Sequence, residues 1–177
     1  MKNALIVLVA FVIPLGYAGS SVACDATDAE IAITQAQMDK ADADAALSQA
    51  STDLADAIVN TSEMLDYYNN EYQGDSPAVT SAIADSAEEL AAGGDEIELG
   101  NEDKDSGDAA LEAAIEAFNA GDYETACSAA TNASSFYGPA ISPYEDASED
   151  FLEVFFLNSF AMQLMTEPSC MPPSCMP

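Results

Sequence analysis

The chain has no histidine, no arginine and no tryptophan, and only three lysines among its 177 residues. Without histidine it lacks the side chain that most often serves as a general base and as a transition-metal ligand. With so few cations it has almost nothing to hold a phosphate backbone, and 32 Asp and Glu would repel one, so nucleic-acid binding is strongly disfavoured. The same charge disfavours anionic membrane surfaces. No Gly-x-Ser-x-Gly elbow, phosphate-binding loop or dinucleotide fingerprint occurs. Seven Phe and seven Tyr are few for the walls of the deep cleft that a paired-carboxylate hydrolase needs. No segment sustains the alternation of a strand. These absences point to an all-α protein without catalytic machinery.

What is present begins with Met1-Lys2-Asn3, an apolar run from Ala4 to Leu15, and the small residues Ala18-Gly19-Ser20-Ser21-Val22-Ala23. This is the pattern of a signal peptide, residues 1–23, with cleavage after Ala23. The run is too short to span a bilayer. The expectation is a secreted or extracellular protein (periplasmic or cell-envelope in a bacterium) with no membrane span in the mature chain. Ser21-Val22-Ala23-Cys24 also loosely resembles a bacterial lipobox, without its leucine, which would place a lipid on Cys24. Removing the leader takes away Lys2 and no acid. Lys40 and Lys104 then stand against all the carboxylates, at a formal charge near −30. Such a field suits a basic partner, metal cations or a saline medium.

Residues 24–166 read as one helical-bundle domain. From Asp25 to Tyr72 the sequence is helical, with an apolar seam at Leu47, Ala50, Leu54, Ala57, Thr61, Leu65, Tyr68 and Tyr72. Ile31, Met38, Ala41 and Ala45 continue it upstream. Gly74-Asp75-Ser76-Pro77 stops this helix and starts the next, with Ser76 placed to cap it and Pro77 in its first turn. Val79, Ile83 and Leu90 mark that helix, which is expected to end at Gly93-Gly94. An acidic linker follows over 95–107. The next helix runs from about Asp108 to Asn119, with Leu111, Ile115 and Phe118 on one face. Gly121-Asp122-Tyr123 turns the chain, and Asp122 caps a helix reaching about Tyr137. Pro139 and Pro143 mark a loop, and the last helix carries Phe151, Leu152, Val154, Phe155, Phe156, Leu157, Phe160, Met162, Leu164 and Met165. The pattern predicts an up-and-down bundle of about four long helices with the last at its centre.

Residues 167–177 form a Pro/Cys/Met-rich tail, a tandem of Pro168-Ser169-Cys170-Met171-Pro172 and Pro173-Ser174-Cys175-Met176-Pro177, whose prolines favour extended backbone. The mature chain carries Cys24, Cys127, Cys170 and Cys175. In an exported protein these are disulfide candidates with three possible pairings. Met162, Met165, Met171 and Met176 with Cys170 and Cys175 also offer soft ligands for copper(I). Asn101, Asp103, Asp105 and Glu112 have the ligand spacing of a calcium loop, although the glycine of that loop, Gly107, falls one position late. A solvated linker accounts for the same acids. Asn60-Thr61-Ser62 and Asn132-Ala133-Ser134 are N-glycosylation sequons. No cofactor is required by any of these patterns.

The stretch Ala110–Ala130 holds Leu111, Ala114, Gly121-Asp122-Tyr123-Glu124-Thr125-Ala126 and Ser128-Ala129-Ala130. It resembles a segment of the plant invertase and pectin methylesterase inhibitors. Asn158-Ser159-Phe160-Ala161-Met162 is similar to that family's closing helix, and Ala82-Ile83-Ala84-Asp85-Ser86 to another of its segments, with Ser86 where the family has a cysteine. The same Gly-Asp-Tyr-Glu-Thr-Ala run is also similar to half of a tetratricopeptide repeat. The inhibitor resemblance implies a secreted helical bundle that blocks the cleft of a cell-wall carbohydrate-active enzyme with a helix face. The expected function is therefore a secreted non-catalytic binding protein with a protein partner. The alternatives are an exported acidic cation-binding protein, for calcium or copper, and a structural or envelope protein of a salt-adapted organism.

Overall fold

A helix needs partners for its first amides, and Asp25 supplies them at the start of the bundle. Its carboxylate accepts from the N–H groups of Thr27 and Asp28, while the Asp28 carboxylate accepts from the Asp25 N–H. This reciprocal box opens α1, Ala26–Asn70. The computed structural model describes residues 23–166, and α1 is followed there by α2, Pro77–Ala120, and α3, Tyr123–Thr166. Among the described residues there is no strand. The tail, with Cys170 and Cys175, and the expected signal peptide apart from Ala23 lie outside the described residues.

Two short connections fold the helices up, down and up. Pro77 opens α2 after Ser76, whose carbonyl accepts from the Thr80 N–H. The Ser76 hydroxyl makes no capping bond, contrary to the sequence reading. At the other end Gly121 takes φ +79, where glycine alone is unstrained, and its N–H closes on Ala117 and Phe118. Asp122 then accepts from both the N–H and the hydroxyl of Thr125, opening α3 as expected. Phe118 packs on Tyr123 across the turn.

The bundle has three helices, not about four, because neither expected break occurs. The acidic segment 95–107 continues α2 without interruption, and α3 runs through Pro139 and Pro143. Each proline removes one N–H from the ladder. The carbonyls that lose their donors belong to Ser135 and Pro139, which are exposed, so water reaches them.

The core explains why glycine is tolerated inside α2. Buried positions recur every seventh residue: Ala29, Ala36, Ala43, Ala50, Ala57 and Met64 on α1, and Val79, Ser86, Gly93, Gly100, Gly107 and Ala114 on α2. Two such series run along α3, one of them Ala130, Tyr137, Tyr144, Phe151, Asn158 and Met165. A repeat of seven keeps one seam facing its partner over many turns, as in a left-handed coiled coil. Antiparallel α2 and α3 meet in register, with a glycine under each ring. A Cβ on Gly93 would lie 2.5 Å from Phe151 Cε1, one on Gly100 2.5 Å from Tyr144 Cε1, and one on Gly107 2.6 Å from Tyr137 Cε1. The absence of that carbon lets each ring lie against the α2 backbone. Burying such a ring stabilises the fold by about 1.5–3 kcal/mol, more than the ~1 kcal/mol that a helical glycine costs.

The expected seam on α1 is present from Leu47 onward, but its upstream continuation is not. Ile31, Met38, Ala41 and Ala45 are exposed, and the Ala29, Ala36 and Ala43 line is buried in their place. Small residues set the inside of this helix because the neighbouring backbones come close. The last helix, expected at the centre of the bundle, is buried on one side only: Phe151, Val154 and Met165 are buried, while Leu152, Phe155, Phe156 and Phe160 are exposed.

A disulfide joins Cys24 to Cys127, with Cα atoms 6.6 Å apart, tying the start of α1 to the first turns of α3. It resolves the open pairing question for these two cysteines. It also uses the sulfur that a lipid on Cys24 would occupy.

Two outcomes follow for stability. Gly100→Ala destabilises by about 1–3 kcal/mol through overpacking against Tyr144. Gly94→Ala, where a Cβ meets nothing within 4 Å, stabilises by up to ~1 kcal/mol. Denaturant midpoints of the two variants check both signs. Replacing Cys24 and Cys127 by Ser frees a 103-residue separation and costs about 3–5 kcal/mol, read as a lower melting temperature.

Candidate functional site

Lys40 and Lys104, the two lysines among the described residues, lie in one cluster where α1 faces α2. Lys40 donates to Asp108, and Lys104 donates to Asp108 Oδ2 at 3.0 Å. Lys104 is also 3.0 Å from Asp44, and Lys40 is 3.7 Å from it. The Tyr137 hydroxyl donates to Asp108 Oδ1 at 2.8 Å, so α3 joins the same carboxylate. Lys40 sits 5.9 Å from the centre of the Tyr137 ring.

This geometry moves the titrations apart. Burial alone would push the Asp108 carboxyl up, but bonds from Lys40, Tyr137 and Lys104 outweigh it and hold the group at about 2. Burial likewise opposes the charge of Lys104, and bonds to Asp108 and Asp44 hold its ammonium well above the usual range. The Tyr137 phenol is pushed up by desolvation and then by its bond to the ionised Asp108. Groups held this firmly in one protonation state are poor proton donors or acceptors at neutral pH; the cluster joins three helices electrostatically.

A second polar contact crosses the bundle nearer its other end. Ser86 and Asn158 are fully buried. The Ser86 hydroxyl donates to Asn158 Oδ1 at 2.8 Å, and Asn158 Nδ2 donates to Thr61 Oγ1 at 2.8 Å. One residue from each helix takes part. A buried polar layer of this kind penalises any shift of register, because a slip would leave amide and hydroxyl without partners. Tyr144 adds a third tie, donating to Asn101 Oδ1 at 2.9 Å.

The four residues with calcium-loop spacing are not gathered. Asn101, Asp103, Asp105 and Glu112 all lie on continuous α2, where a helical backbone cannot wrap a cation, and Asn101 is engaged by Tyr144. Among the described residues no group of three or more His, Cys, Asp or Glu is placed to hold a metal ion. The copper(I) set depended on Cys170, Met171, Cys175 and Met176, which lie outside the described residues; Met165 is buried in the core and Met162 packs against it.

The two sequons differ. Asn60 is half-buried at the α1–α3 seam, its Oδ1 atom is enclosed without a partner, and its neighbour Thr61 accepts from Asn158. Asn132 is exposed on α3, beside an open depression shared with Glu124, Thr125, Ser128 and Ala129.

Among the described residues, α3 carries a cluster of exposed large apolar side chains. Leu152, Phe155, Phe156 and Phe160 on α3 are 56, 50, 64 and 51% exposed. Leu152 lies three and four residues before Phe155 and Phe156, and Phe160 four after Phe156, so they form one broad stripe along about 12 Å of helix. Leu152 and Phe155 also line a groove with Asp53, Asp56 and Ala57 of α1. Carboxylates crowd α3 just before the stripe. Burial, then the neighbouring Asp146 and Glu149, push the Asp150 carboxyl up.

Sequence reasoning missed the lysine–aspartate cluster and the Thr61–Ser86–Asn158 layer. The clue to the first was the scarcity of cations: with three lysines among so many acids, Lys40 and Lys104 each have several carboxylates to pair with. Compared with known proteins, the chain matches no family model, no curated protein and no solved structure.

The charge cluster sets a pH dependence. Asp108 is more acidic folded than unfolded, so its contribution is complete above about pH 4–5 and is lost as pH falls toward 2. Lys104 and Tyr137 hold their protons more tightly when folded, so stability declines above about pH 10. Asp108→Asn is expected to cost about 1–2 kcal/mol at pH 7, a figure reduced for the solvent that reaches this carboxylate. Denaturation at stepped pH should show the gap between the two proteins closing between about pH 4 and 2.

Proposed function

We propose that this chain is an exported, non-catalytic binding protein, built as a stiff acidic rod that meets a protein partner with a helix face. The observation that carries the reading is how its interior polar groups are used. Asp108 links Lys40 of α1 and Tyr137 of α3 to α2, Lys104 reaches Asp44 of α1, and Asn158 links Ser86 to Thr61, so these polar side chains bond to the neighbouring helices. Helices of 44 and 45 residues give a length near 66 Å at 1.5 Å per residue. What such a rod presents to other molecules is surface: acidic over most of its faces and apolar along one stripe.

Inhibition of a cell-wall carbohydrate-active enzyme is the narrower form of this reading. It rests on the resemblance around Gly121-Asp122-Tyr123. In the fold these residues form the α2–α3 turn, where Gly121 takes the left-handed conformation, Asp122 caps and Tyr123 packs on Phe118. That turn forms a helical hairpin at one end of the rod, and in this reading it is the part that enters the cleft. A second reading, an envelope protein of a salt-adapted organism, is favoured by the charge distribution. Both lysines are engaged with Asp44 and Asp108, and the other carboxylates of the helices carry no ion pair among the described residues.

Mixing the purified protein with pectin methylesterase or with invertase tests the narrower form: loss of activity at near-equimolar ratio is expected, and full activity at large excess removes it. Circular dichroism across a salt series separates the second reading, since a salt-adapted rod loses helix at low salt through self-repulsion.

A further inference from the structure

The apolar stripe of α3 is not explained by the packing of the bundle. A single exposed Phe is ordinary, but four large apolar side chains in one line on so acidic a protein form a patch that favours contact. The surroundings of the stripe specify that contact. Asp53 and Asp56 flank it on α1, and Glu149 and Glu153 flank it on α3. The only lysines among the described residues, Lys40 and Lys104, are held by Asp44 and Asp108, several helical turns away. A second copy of this chain would bring the same acids against these acids, and four side chains offer less area than a stable dimer needs. The groove lies between two parallel helices, which suits a third helix with apolar residues at three- and four-residue spacing.

We infer that the α1–α3 groove and the Leu152–Phe160 stripe are a docking surface for a basic amphipathic helix of a partner protein. Its apolar side chains lie on Leu152, Phe155, Phe156 and Phe160, and its Lys or Arg residues reach Asp53, Asp56, Glu149 and Glu153. The inference rests on the binding-protein reading and names the face and the chemistry of the partner. Attraction between a cationic helix and this surface speeds encounter and weakens with salt, while the ring contacts hold the complex.

The test uses the full mature chain and three fluorescent synthetic helices of roughly 18 residues, about five turns. One has Leu on one face and Lys on the other. The second keeps the leucines with Gln for Lys, and the third keeps the lysines with Gln for Leu. The first is expected to bind one to one, at least about ten-fold more tightly than either control. A Phe156→Ser, Phe160→Ser variant is expected to lose about ten-fold or more in affinity at unchanged helix content. Equal binding of the lysine-only helix would show charge attraction alone and overturn the proposal. Unchanged binding by the variant would overturn it as well, as would a stable dimer in sedimentation that the variant abolishes. Peptide docking without enzyme inhibition would remove the inhibitor form and keep this surface. No docking would remove the surface whatever the inhibition assay gives.

Discussion

The close approach of α2 to α3 is the constraint on which the rest of the bundle depends. Tyr137, Tyr144 and Phe151 need room that no residue with a Cβ would leave, and Gly107, Gly100 and Gly93 provide it at the same seven-residue interval. That match fixes the register of the two helices over about their middle third. It also brings the Tyr137 hydroxyl to Asp108 and the Tyr144 hydroxyl to Asn101, so the polar ties follow from the apolar packing. Helix α1 completes the core with a line of alanines, which bury little area individually but admit both neighbours closely.

Charge complements this arrangement. The protein is so acidic that its carboxylates repel one another along every helix, and Lys40 and Lys104 are placed where each counters two of them. Asp108 stays ionised down to about pH 2 because it receives Lys40, Tyr137 and Lys104 together. Near the other end, the Thr61–Asn158–Ser86 layer is uncharged and fully satisfied, and it fixes register where no glycine–ring pair does. The Cys24–Cys127 bond secures the end where α1 begins and α3 starts.

Much of the first helix and both turns were legible in the sequence. Asp25, Gly74-Asp75-Ser76-Pro77 and Gly121-Asp122 are local signals whose meaning depends little on distant residues. The breaks expected at Gly93-Gly94, over the acidic 95–107 segment and at Pro139 and Pro143 failed because those signals are also local, and there tertiary packing outweighs them. The information was in the sequence in another form, as a shared interval: Gly93, Gly100 and Gly107 recur at the spacing of Tyr137, Tyr144 and Phe151. Reading large side chains as the inside of α1 and α3 failed for a related reason. Where backbones approach closely, alanine and glycine occupy the core, and Ile31, Met38, Phe156 and Phe160 are left outside. Of the candidate sites, the half-buried Asn60 sequon and the dispersed Asn101–Glu112 set show that motif spacing means little until the backbone conformation is known.

The three helices form a long rod whose inner polar side chains bond from helix to helix, and α2 runs through it as one uninterrupted helix packed on the rings of α3. The most direct measurement is the distance between spin labels carried by unnatural residues at Ala78 and Asn119, both exposed and near opposite ends of α2. A continuous helix predicts a narrow distribution centred near 60 Å, at 1.5 Å per residue. A broad distribution centred well below that would mean that the glycine-rich acidic segment is a linker, and would contradict the account.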